Sequence, residues 1–167
     1  LKLKSKGEKV TENQLDFMKT YLRKADFKRL DTKIRHIEDC KKGNKTVKTY
    51  KNIAIGRSGA GFKQRRGDDI TPLGTYKISW INEKSPYNRF YGFNYPSEEN
   101  ANEALKRKII SQKTHDSIIS AHRADEVPIQ NTVLGGRIGI HGLGKGDERI
   151  HKIVNWTHGC IALTNEQ

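Results

Sequence analysis

Cysteine is scarce in this chain. Its 167 residues include only Cys40 and Cys160, too few for the disulfide framework of a small secreted domain. Acidic residues are in the minority as well: nineteen Asp and Glu stand against thirty-two Lys and Arg, a formal net charge of +13. That balance favours an anionic partner, whether nucleic acid, anionic lipid or an acidic polymer, and does not choose among them. No helix-turn-helix, zinc knuckle or other nucleic-acid reader is recognisable, so no nucleic-acid partner is expected. No apolar run has the length of a membrane span and no signal peptide is visible, so the chain as given is expected to be soluble, with no transmembrane segment. It begins Leu1-Lys2-Leu3-Lys4 without Met, as a mature or trimmed product would. His141, His158 and Cys160 could in principle bind zinc, but their spacing matches no closed structural site, and neither metal nor cofactor is expected. The stretch from Gly56 to Asp68 is rich in glycine and cations. It lacks the Gly-Lys-Ser/Thr that a Walker-type phosphate loop requires.

What is present fits one domain with a real core, despite a hydrophobic share of only 34%. Between Lys2 and Phe27, Leu15, Met18 and Leu22 recur at helical spacing behind Thr11 or Asn13 as cap, which predicts a helix with a solvated lysine face. Lys33 to Glu38 and Thr46 to Gly56 alternate like strands around a Gly43-Asn44 turn, which predicts a hairpin. A turn at Pro72 leads into a strand reaching about Ile81. The aromatics Tyr87, Phe90, Tyr91, Phe93 and Tyr95, with Arg89, suit either a substrate groove or a buried strand edge. Ser97 opens a capped helix to about Leu105, and a second is expected from about Thr114 to Ala124, closed before Pro128. Arg137 to Ile140 reads as a short strand delivering His141, ended by Gly142. His36, His115, His122 and His151 have no motif support and read as surface or helix residues.

The chemistry concentrates near Cys160. A thiol attacks a carbonyl as thiolate, and at its ordinary pKa of about 8.5 it needs a base at neutral pH. His158 stands two residues before Cys160 and His141 nineteen before it. Gly159 would let backbone N–H groups approach a substrate carbonyl, as an oxyanion hole requires. A permanent bridge to Cys40 would abolish such activity, so Cys40 is expected to be a bystander.

The order of these residues resembles the signature of the L,D-transpeptidase catalytic domain: an upstream His, a spacer, then Ser/Thr-His-Gly-Cys. Fifteen residues separate His141 from the Thr157-His158-Gly159-Cys160 tetrad, within the family's range. Lys63, Gly67, Asp68, Thr71, Pro72, Gly74 and Tyr76 also fit a family pattern, although turn geometry alone accounts for most of them. The run Cys160-Ile161-Ala162-Leu163-Thr164-Asn165 resembles a murein L,D-transpeptidase subset. Ala162 departs from the many members with Arg or Asn there, where Arg can meet a substrate carboxylate. The likeness runs from about Thr32 to the C-terminus and leaves residues 1–31 as a helical extension; the catalytic domain is expected over 32–167, with its C-terminal end reading as truncated.

The resemblance implies a compact, mainly β domain, sandwich- or barrel-like, with peripheral helices. It implies that Cys160 forms a thioester with a peptidoglycan stem tetrapeptide and releases D-alanine. His141 would be the base, oriented by the Gly142 carbonyl, while His158, Gly159 and the Cys160 N–H would support the oxyanion. Thr157, Arg137 and Tyr95 complete the implied substrate side. The implied acceptor is an amine, of another stem or of a lipoprotein lysine; the alternative is water, which would make the enzyme an L,D-carboxypeptidase. A cell-envelope location, periplasm or wall, follows from the same likeness. A non-catalytic basic domain binding wall or nucleic acid is the distant alternative.

Overall fold

The computed structural model describes residues 36–42 and 45–167, with side chains from residue 48 onward. The helix expected between Lys2 and Phe27, the boundary at residue 31 and the Gly43-Asn44 turn lie outside the described residues, as does the Cys40 side chain. β1 (His36–Lys42) and β2 (Lys45–Ile53) pair antiparallel, as the alternation predicts. β2 ends by running into the interior, where Ile53, Ala54 and Ile55 are almost completely buried. Ile53 and Ile55 pack with Ile161, each such side chain contributing about 1.5–3 kcal/mol by leaving water.

Two-residue strands β3 (Ala60–Gly61) and β4 (Thr71–Pro72) form a small parallel pair. The principal sheet has the order β5 (Ile78–Ser85), β6 (Asn88–Phe93), β7 (Gly139–His141), β8 (Ile161–Ala162). Its first two pairings are antiparallel and the last is parallel. The β5 strand runs past the expected end near Ile81 because it continues into a hairpin with β6.

Helix α1 (Glu98–Lys106) starts with a capping box: Ser97 Oγ accepts from the Asn100 N–H and Asn100 Oδ1 accepts from the Ser97 N–H. Helix α2 (Gln112–Arg123) begins slightly before the expected Thr114, because Ser111 accepts the Thr114 N–H and serves as N-cap. Ala101 and Ala104 of α1 and Ile118 of α2 are fully buried against Tyr95, Leu134 and Ile138. This second core holds the segment that leads into β7. Gln130 ties it further, donating to the Tyr95 carbonyl at 2.7 Å and accepting the Arg137 N–H at 2.6 Å. A short helix, α3 (Glu148–Ile153), lies in the spacer before the tetrad and carries a fully buried His151, whose Nδ1 accepts from Trp156 Nε1. Among the described residues, no helix is long and apolar enough to cross a membrane.

The domain is therefore mixed α/β and rich in sheet, rather than mainly β, and the sheet is not a closed barrel. Closure would require β8 to meet β5. The far side of β8 is occupied instead by Ala54, which pairs with Ala162 through two backbone hydrogen bonds of 2.9 and 2.7 Å.

Candidate active site

The register of β7 and β8 sets the site. Ile140 lies opposite Ile161 and His141 opposite Ala162 in this parallel pair. Cys160, one residue ahead of Ile161, therefore lies beside Gly139 and on the same sheet face as His141, because in-register neighbours share a face and the period is two. Both side chains line one groove. Gly139 adds no side chain to that face, where its backbone passes so close to the Tyr91 carbonyl that a Cβ would not fit.

His141 is 5% exposed. Its Nδ1 lies 2.7 Å from the Gly142 carbonyl, which can only accept, so Nδ1 carries the proton and Nε2 is left as the basic nitrogen. Phe90, opposite His141 on β6, stacks with its ring at 6.1 Å and 15°; Tyr87 lies at 4.6 Å and Trp156 meets it edge-on at 5.7 Å. Burial in this aromatic setting lowers the imidazole pKa below its ordinary 6.5, with the Gly142 hydrogen bond acting in the opposite sense.

Cys160 is a free, half-buried thiol. Its Sγ donates to the Arg137 carbonyl at 3.5 Å. Burial pushes its pKa up to about 11, against the smaller lowering effects of a Gly139 backbone hydrogen bond and the Lys63 charge. Both shifts disfavour the charged forms, so the proton rests on sulfur and His141 is a neutral base.

The loop carrying Cys160 is clamped by its neighbours. Thr157 accepts from Arg57 N–H and donates its own N–H to the Ile55 carbonyl, at 3.0 and 3.2 Å. Its hydroxyl donates to the Cys160 carbonyl at 2.6 Å and accepts the Gly159 N–H at 3.2 Å. Thr157 is 3% exposed, at the wall of the groove that holds His141 and Cys160. The bond to the Thr157 hydroxyl engages the Gly159 N–H. Gly159 is needed for its shape: its φ of +132° favours glycine, and a Cβ would press on the Ile70 carbonyl. His158 is exposed, with Nδ1 2.7 Å from Asp69 Oδ1.

Tyr95 is corrected outright. It is fully buried, its hydroxyl donates to the Leu134 carbonyl at 3.0 Å, and it has no surface to offer a substrate. The aromatic cluster of the sequence divides by strand face, with Tyr87 and Phe90 lining a groove and Phe93 packed against the core. Trp80, Trp156 and Arg66, which line the grooves around Cys160, and Asp69, which pairs with His158, were given no role by sequence reasoning. Trp80 packs over Gly92 and against Phe90, a placement decided by β5–β6 register. Trp156 had one legible signal, its position beside the tetrad.

Two grooves meet at Cys160. The first, about 650 Å³, is walled by Trp80, Tyr87, Phe90, His141 and Trp156. The second, about 570 Å³, is polar, with Lys63, Arg66, Gln130 and Asn131 in its wall. Arg137, His158 and Cys160 belong to both. Among the described residues there is no cluster of three or more His, Cys, Asp or Glu able to hold a metal ion.

The loop before β4 explains the Lys63 and Asp68 of the sequence pattern. Lys63 is 2% exposed and its Nζ lies 2.5 Å from Asp68 Oδ1. Asp68 also accepts the N–H groups of Gln64, Arg65 and Ile70. Burial acts to raise its pKa, but Lys63 and these backbone donors together hold it below the ordinary 3.8. Asp68→Ala leaves a buried ammonium without its counter-ion, and a loss of about 3–5 kcal/mol is expected in denaturant unfolding. A loss under about 1 kcal/mol would show that the clasp contributes little.

A thiol and an imidazole facing one groove on a sheet-rich α/β domain are the parts that thiol-based acyl transfer requires. The chain belongs to the L,D-transpeptidase catalytic domain family, whose model matches residues 32–167. Enzymes of this family act on peptidoglycan in the cell wall. No curated protein and no solved structure matches the chain significantly.

Proposed function

We propose that this domain is a peptidoglycan L,D-transpeptidase of the cell envelope, with Cys160 as nucleophile and His141 as general base. The observation that carries the reading is the free Cys160 thiol in the same groove as His141, whose Nδ1 is tied to the Gly142 carbonyl. His141 Nε2 takes the Sγ proton as sulfur attacks the carbonyl at the L-centre of the third, diamino residue of a stem tetrapeptide. The oxyanion meets the Cys160 N–H, with His158 at the groove's edge. As the intermediate collapses, the bond to the D-alanine nitrogen breaks and His141 returns the proton to it, leaving a thioester on Cys160. An amine of a neighbouring stem then gives its proton to His141 and attacks the thioester, forming the crosslink and freeing the thiol.

Incubation with disaccharide-tetrapeptide, followed by mass spectrometry, tests this. Free D-alanine together with crosslinked dimer is expected. D-alanine with tripeptide alone would make water the acceptor and the enzyme an L,D-carboxypeptidase. If folded protein with a reactive thiol yields neither, the reading fails.

A further inference from the structure

The cations around Cys160 are not equivalent. Lys63 is neutralised by Asp68 at 2.5 Å, and Arg57 faces Asp69 at 3.6 Å. The Arg66 guanidinium donates to the neutral Asn131 Oδ1 at 2.6 Å and faces no carboxylate among the described residues. Arg137 has no carboxylate partner among the described residues, yet it lines both grooves and its carbonyl accepts from Cys160 Sγ. Its backbone is unusual too. Arg137 has a φ of +54°, a conformation costly for a long side chain, held by Gln130 through the 2.6 Å bond to its N–H. Arg137, exposed and lining both grooves at the point where they meet, thus brings a guanidinium with no carboxylate partner among the described residues to the groove that also holds Arg66, whose partner carries no charge.

On the reading of Cys160 as acyl-transfer nucleophile, we infer that Arg137, with Arg66 behind it, receives the free carboxylate of the departing residue and so restricts the enzyme to the C-terminal bond of its donor. In a peptide, the α-carboxylate of a terminal residue is three bonds from the scissile carbonyl carbon, within about 4 Å. A peptide whose scissile carbonyl sits at Cys160 therefore carries that carboxylate no farther than the mouths of the two grooves, and Arg137 lines both. A guanidinium offers planar paired donors to a carboxylate, which an ammonium does not. Asp68 and Asp69 face Lys63 and Arg57, so among the described residues Arg137 and Arg66 are the arginines and lysines of this groove left to attract an anion.

Leaving-group release is measured under single-turnover conditions, without an amine acceptor, on a stem tetrapeptide and on the same peptide ending in a carboxamide. The wild type is expected to favour the free acid by about 10- to 100-fold in kcat/KM. R137Q is expected to bring that ratio close to one, and R137K to keep part of it. Thiol alkylation and thermal unfolding establish that each variant is folded with Cys160 accessible. Equal turnover of acid and amide by the wild type overturns this inference while leaving the acyl-transfer reading in place. An undiminished ratio in R137Q overturns it equally. Turnover of neither peptide by the wild type defeats the acyl-transfer reading itself, and with it this one.

Discussion

Cys160→Ser is expected to abolish covalent capture of a carbapenem, with intact mass showing a single adduct on the wild type and none on the variant. An alcohol is far less acidic than a thiol, and a neutral imidazole cannot make it an equivalent nucleophile. Turnover of the tetrapeptide should fall by at least about 10³-fold, in line with the loss of a nucleophile elsewhere. The fold should survive, because replacing one half-buried sulfur by oxygen leaves the backbone clamps from Thr157 intact and costs about 1 kcal/mol or less. The second cysteine makes the result discriminating. An adduct persisting on Cys160→Ser would place the reactive thiol at Cys40 and remove the proposed chemistry from this groove.

Removing the base has a different signature. His141→Gln is expected to lower kcat/KM by about 10²–10⁴-fold, the usual worth of a positioned general base. Its pH dependence says more than its size. In the wild type the working form is neutral imidazole, whose pKa burial places below 6.5, so activity should rise through that lower value and be level at neutral pH. Without His141 only thiolate formed in solution can attack. Because the Cys160 thiol titrates near 11, residual activity in the variant should climb about tenfold per pH unit from neutrality upward. A variant profile that stays flat across neutral pH would show that some other group accepts the thiol proton. His158 is the first candidate, since it borders the same sulfur and pairs with Asp69.

Local signals were read well where they were complete within a few residues. The hairpin of β1 and β2, the Ser97 cap and the turn holding Lys63 and Asp68 each depend on neighbours close in the chain. The candidate nucleophile and base were legible because their order and spacing form a specific signature. Tyr95 was misread for the opposite reason. Nothing local separates an aromatic lining a groove from one buried beneath it, and the choice falls to the helices that cover it. Asp69 was overlooked because its partners, Arg57 and His158, come from distant parts of the chain.

The amino-acid sequence by itself determined which reactive groups this protein owns, how far apart along the chain they stand, and the family to which the domain belongs. Tertiary structure alone decided that β8 lies parallel to β7 in a register placing Cys160 diagonal to His141, that burial raises the thiol pKa and lowers that of the imidazole, and that two aspartates pair with Lys63 and Arg57 while Arg137 meets no carboxylate among the described residues. Strand register, desolvation and charge cancellation are properties of residues brought together from far apart. No window of sequence contains them.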